Sequence, residues 1–136
     1  MAKIIKINHI AIAVSNLENS VTFWQDQIGL SVDHIEEVPS QKSKVAFLPT
    51  GDSEVEIVCP TTPDSGMAKY IEKRGPGLHH ICFEVDNIDE MLVELKAKGV
   101  MLIDETAKEL PGRKMAFIHP KSANGVLVEL YEVTRS

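Results

Sequence analysis

Four side chains of this chain combine reactive chemistry with places that a β-strand seldom gives them. His9 opens "HIAIAV" and His80 stands in "GLHHICFEVD", each at the head of an apolar, alternating run. Glu56 lies inside "VEIV" and Glu129 inside "VLVELY". A carboxylate in mid-strand is expensive to bury unless something compensates its charge. Two imidazoles and two carboxylates converging in one cleft would do so around a divalent cation, as an octahedral site with two positions left for water or substrate. Taken singly, a strand glutamate commonly faces solvent and a lone histidine is commonly a hydrogen-bonded core residue. The joint reading is favoured because the four residues are two pairs, one histidine and one glutamate from each of two matching halves.

The match is an internal repeat with an offset of about seventy residues. His9 falls on His80, "VSNL" (14–17) on "VDNI" (85–88), and Gly29-Leu30 on Gly99-Val100. "KVAFL" (44–48) falls on "KMAFI" (114–118) and, after a small slip, "EVEI" (54–57) on "LVEL" (127–130). Each half reads as strand, helix and three strands. Ile4–Val14 alternates as a half-buried strand does. Ser15 to Glu18 has capping-box spacing, with an apolar stripe of Leu17, Val21, Trp24 and Ile28 and a stop at Gly29. In the second half Asp86 caps, Ile88, Met91, Leu92 and Leu95 form the stripe, and Gly99 ends it. The remaining strands are expected near 31–38, 42–48 and 53–59, then 101–106, 113–118 and 126–133. Residues 61–76 read as a linker inside one domain, with a short helix around Met67–Lys73. The fold class expected is therefore α+β: one domain, 1–136, of two tandem βαβββ modules (about 1–60 and 77–136) forming a curved mixed sheet around a metal-binding cleft.

A net charge of −6 argues against nucleic acid as a partner. No apolar run approaches a bilayer-spanning length, and the opening "MAKIIK" lacks the apolar stretch of a signal peptide. Cys59 and Cys82, both in apolar runs, read as buried reduced thiols of a cytoplasmic protein. His79 faces Asn8 across the repeat and is expected near the site or on the surface; His34 and His119 are read as structural.

The blocks "NHIAIAVSNLE", "GLHHICFEVDNID", "ELKAKGV" and "AFIHPKSANGVLVELYE" resemble the vicinal oxygen chelate superfamily, and within it the methylmalonyl-CoA epimerases, over essentially the entire chain. The resemblance implies metal ligation by His9, Glu56, His80 and Glu129. It implies a divalent ion, cobalt first, with nickel, manganese or zinc as alternatives. The implied activity is epimerisation of (2R)/(2S)-methylmalonyl-CoA through abstraction of the C2 proton and a metal-stabilised enolate, with Glu129 and Glu56 as the proton-handling residues. Lys121 and Ser122 are implied substrate contacts, the partner is an acyl-CoA, and the assembly is a homodimer. Two departures stand out. The position of Glu56 is glutamine in some epimerases and glutamate in glyoxalase I, and "ELPGR" (109–113) replaces a Gly/His-rich run. Glyoxalase I, acting on the hemithioacetal of methylglyoxal and glutathione, is the alternative isomerase. A non-catalytic ligand-binding or resistance module is the alternative of another class.

Overall fold

In the computed structural model residues 1–134 are described; residues 135–136 of the expected second module lie outside them. The strands are β1 (Ile4–Ala13), β2 (His34–Val38), β3 (Ser43–Thr50), β4 (Ser53–Pro60), β5 (Gly77–Val85), β6 (Lys108–Leu110), β7 (Arg113–Ile118) and β8 (Val128–Val133). The helices are α1 (Leu17–Val21), α2 (Gly66–Arg74) and α3 (Ile88–Ala97). Hydrogen-bonded neighbours follow the order β2-β3-β4-β1-β5-β8-β7-β6. The sheet is mixed, because β5 and β8 run parallel while β2–β3–β4 and β6–β7–β8 are antiparallel. This is the α+β architecture expected of the two modules, with the linker helix formed as α2.

The chain divides into two compact units, Ile10–His79 and Met1–His9 with the chain from His80. Each buries its own core. In Ile10–His79, Val14, Ala46, Leu48 and Ile57 pack with Leu17, Trp24 and Leu30. In the other unit Val85, Ile88, Leu92, Ala116 and Leu130 pack together. The repeat is visible as matched cross-strand pairs: Ala46 opposite Ile57 and Phe47 opposite Glu56 in one, Ala116 opposite Leu130 and Phe117 opposite Glu129 in the other.

Three expectations need correction. The caps sit one residue later than the spacing suggested: Asn16 accepts from the Asn19 amide at 2.9 Å and Asn87 from the Glu90 amide at 3.0 Å. An Asn oxygen at the N-cap reaches the N3 amide directly, and Asp86 instead accepts from the Lys3 amide at 2.8 Å. The first helix does not continue as α. After Val21 it widens to a π-helix over Thr22–Gln27, with the Ile28 amide reaching back to the Phe23 carbonyl at 3.1 Å. A wider turn rotates the stripe, so Ile28 is 52% exposed and Leu30 takes a place in the core. The expected strand at 101–106 is reduced to one bridge, Leu102 opposite Ile118. The Asp104 carboxylate takes the Phe117 amide at 2.9 Å, a donor that a ladder carbonyl would otherwise use. The edge strand forms later, as β6.

Candidate metal centre

His9, His80 and Glu129 come from β1, β5 and β8, three consecutive strands in the sheet order. Neighbouring strands lie about 4.8 Å apart, so side chains from three in a row can meet. Here they do. His9 Nε2 lies 3.2 Å from His80 Nε2, and Glu129 Oε1 lies 3.4 Å from His9 Nε2 and 3.1 Å from His80 Nε2. The cluster is shielded: His9 is 6% and Glu129 7% exposed. Phe117, opposite Glu129 in the ladder, stands edge-on to the His80 ring at 5.7 Å and forms an apolar wall.

The electrostatics follow from the burial. Desolvation alone would raise the Glu129 carboxyl, but hydrogen bonds and charge from His80 and His9 outweigh it and bring the pKa down to about 2. Glu129 is thus an anion at neutral pH, with its charge directed at two imidazole nitrogens.

The arrangement also suits a metal ion. Donors bound at 2.0–2.2 Å sit about 2.8–3.6 Å from one another, between octahedral and tetrahedral angles. The three donor separations, 3.1, 3.2 and 3.4 Å, fall in that range. Two nitrogens and a carboxylate oxygen are the donor set that first-row divalent metals accept. Cys82, fully buried and the register partner of Glu129, adds a thiol to the neighbourhood: its sulfur and donor atoms of His9 and Glu129 lie within 4.8 Å of one another.

Glu56 occupies the interior of β4, partly buried and opposite Phe47. Lys121 and Ser122 form the exposed 3-10 turn Pro120–Ser122. The Ser122 hydroxyl accepts the Met101 amide at 2.8 Å and the Lys121 amide donates to His119 Nδ1 at 3.0 Å. His119 therefore caps a turn, as a structural residue does. His34 stacks on Phe47 at 4.4 Å, and a hydrogen bond to Asp33 raises its pKa. His79 packs against the Tyr70 ring at 4.6 Å.

Sequence reasoning missed two residues beside the cluster. The Asn8 side chain accepts from His9 Nδ1 at 2.8 Å, and its amide nitrogen donates to Glu84 at 3.3 Å. The adjacent Asn-His pair was the available signal for the first; nothing in the local pattern marked the second.

The chain belongs to the Glyoxalase/Bleomycin resistance protein/Dioxygenase superfamily, whose family model matches residues 8–117. Within that superfamily its likeness is to the methylmalonyl-CoA epimerases, as the sequence blocks suggested. It is 37% identical over 127 residues to the mitochondrial methylmalonyl-CoA epimerase of Homo sapiens, covering 92% of this chain and 72% of that one. The crystal structure of methylmalonyl-CoA epimerase from Mycobacterium tuberculosis superposes with a TM-score of 0.85 at 32% identity, covering 97% of this chain and 90% of that one. A methylmalonyl-CoA epimerase solved in complex with methylmalonyl-CoA and NH4+ gives a TM-score of 0.84 at 32% identity, covering 97% and 96%. The likeness to lactoylglutathione lyase is weaker: 26% identity to the Escherichia coli O157:H7 enzyme, over 93% of this chain and 92% of that one.

Proposed function

We propose that this protein is a divalent-metal-dependent methylmalonyl-CoA epimerase. The observation that carries the reading is the meeting of His9, His80 and Glu129 donors at bonding-compatible separations, in a chain akin to epimerases along nearly all its length. His9, His80 and Glu129 hold the ion, and Glu56 is assigned as the fourth ligand on its place in the repeat. Cobalt is the first candidate, with nickel, manganese and zinc fitting the same donors.

The C2 proton of a methylmalonyl thioester is acidic because a carbonyl and a carboxylate flank it, and its loss leaves an enolate. A bound cation supplies positive charge where that oxyanion develops. Exchange of configuration needs one group to remove the proton on one face and another to return it on the opposite face. Glu129 and Glu56 are the two candidates. Glu129, a ligand that can also carry a proton, takes one face, and Glu56 or a metal-bound water takes the other. Lys121 and Ser122 are assigned to the carboxylate or phosphates of the acyl-CoA, with Lys121 exposed and able to reach an anion. A single domain of two modules, working as a homodimer in the cytoplasm, is the expected setting; sedimentation velocity tests the dimer.

The deciding experiment incubates cobalt-loaded protein with methylmalonyl-CoA in deuterated buffer. Deuterium entering C2 is the expected result. No exchange in protein verified to carry the metal rules the activity out, and faster turnover of the methylglyoxal–glutathione hemithioacetal would make it a glyoxalase I. Stoichiometric metal with neither turnover would leave the ligand-binding module.

A further inference from the structure

We infer that Asn8 and Glu84 are positioning residues that set the tautomer of His9, and so decide whether its Nε2 can bind a cation. The inference rests on the metal-site reading above but concerns residues beyond the ligands.

A neutral imidazole carries one proton on two nitrogens, and only the bare nitrogen can bind a metal. His9 Nε2 faces His80 Nε2 and Glu129 Oε1. Its other nitrogen, Nδ1, lies 2.8 Å from Asn8 Oδ1. A carboxamide oxygen only accepts, so Nδ1 must hold the proton, leaving a lone pair on Nε2 directed at the cluster. An asparagine by itself would not enforce this, because its amide can turn by half a revolution. Turned over, it would present NH2 to Nδ1, select the opposite tautomer and place an N–H where a ligand lone pair is needed.

Glu84 removes that freedom. Its carboxylate oxygen lies 3.3 Å from Asn8 Nδ2 and accepts from the NH2 side of the amide. The chain Glu84–Asn8–His9 therefore runs in one direction: an anion orients the amide, and the amide orients the imidazole proton. Partners of this kind around a metal-binding histidine commonly contribute about 10–100-fold to metal affinity. All three residues lie in the same compact unit as His80 and Glu129.

The test uses full-length protein, with tautomers of ¹⁵N-labelled histidine read by NMR without metal and affinity read by cobalt titration calorimetry. In the wild type His9 is expected with its proton on Nδ1. Asn8→Leu should lose that preference and weaken cobalt binding about 10–100-fold. Asn8→Asp made together with Glu84→Gln keeps an accepting oxygen against Nδ1 without setting two carboxylates side by side, and should restore both. Glu84→Leu, which leaves Asn8 in place, should mix the tautomers and give an intermediate loss; it also serves if Asn8→Leu fails to fold. The inference is overturned if His9 carries its proton on Nε2 in the wild type, if Glu84→Leu leaves tautomer and affinity unchanged, or if the Asn8→Asp, Glu84→Gln double variant is as impaired as Asn8→Leu. Should the wild type bind no cobalt while its His9 tautomer responds to Asn8 and Glu84 as stated, the metal reading falls and the positioning role stands.

Discussion

The two compact units carry the same strand grammar and different helices. Both set a phenylalanine opposite a glutamate and, one step along, an alanine opposite a branched aliphatic residue. Yet α3 is a regular ten-residue helix whose Ile88 and Leu92 are buried, whereas α1 is five residues long, buries none of them fully and opens into a π segment. What the copies share is the ladder that aims a carboxylate. What they let drift is the element behind the ladder. Burial separates the two carboxylates as well: Glu129 is 7% exposed and lies against two imidazoles, while Glu56 is only partly buried.

The sharpest way to break this comparison is to neutralise each glutamate in turn. Glu129→Gln removes the anion from the cluster and is expected to reduce bound cobalt from stoichiometric to trace and to slow C2 exchange roughly 10²–10⁴-fold. Glu56→Gln leaves the three donors His9, His80 and Glu129 in place, so most of the metal should remain while exchange falls. Metal analysis beside the deuterium assay checks both, and equal metal loss from the two variants would erase the asymmetry.

A smaller effect separates the helices. Asn87→Ala should cost about 1 kcal/mol in urea unfolding, the usual worth of an N-cap. Asn16→Ala should cost less, because the helix it starts is one turn long and buries little. The reverse order would mean that the π segment, not the cap, holds the first helix.

The smallest effect is expected at the Lys42–Asp64 ion pair, 2.8 Å long and exposed. The hydrogen bond from Lys42 lowers the Asp64 pKa from 3.8 to about 2. A carboxyl lowered on folding favours the folded state above its ordinary pKa, and this contribution fades as pH falls from about 4 towards 2. Added salt should remove most of it. Acid titrations of wild type and Asp64→Asn, at low and high salt, would detect any larger role as a difference that salt leaves intact.

Much of this molecule was legible because its signals are local and doubled. Alternation in β1 and β5 and the matched "KVAFL" and "KMAFI" blocks each found the element they implied, and the capping signals at Ser15 and Asp86 found both helix starts one residue early. His9, His80 and Glu129 could be singled out because charge in an apolar strand demands a partner, and each is found beside the other two. The rest was hidden for identifiable reasons. Ile28 looked core-facing only on a 3.6-residue turn, and a π turn breaks that count. Residues 101–106 had strand composition, but a side chain, Asp104, took the hydrogen bond a strand needed. Glu84 matters through an amide orientation set by a residue 76 positions away, a relation no window of sequence contains.

The parallel pairing of β5 with β8 has a consequence for the newborn chain. Parallel neighbours need a long crossover, and here the crossover is most of the second module. The two imidazoles are themselves 71 residues apart, and the carboxylate that joins them arrives only with the final strand. Loops this long close slowly. A growing polypeptide therefore assembles the three-residue cluster late, and a copy truncated before its last strand lacks the Glu129 carboxylate altogether.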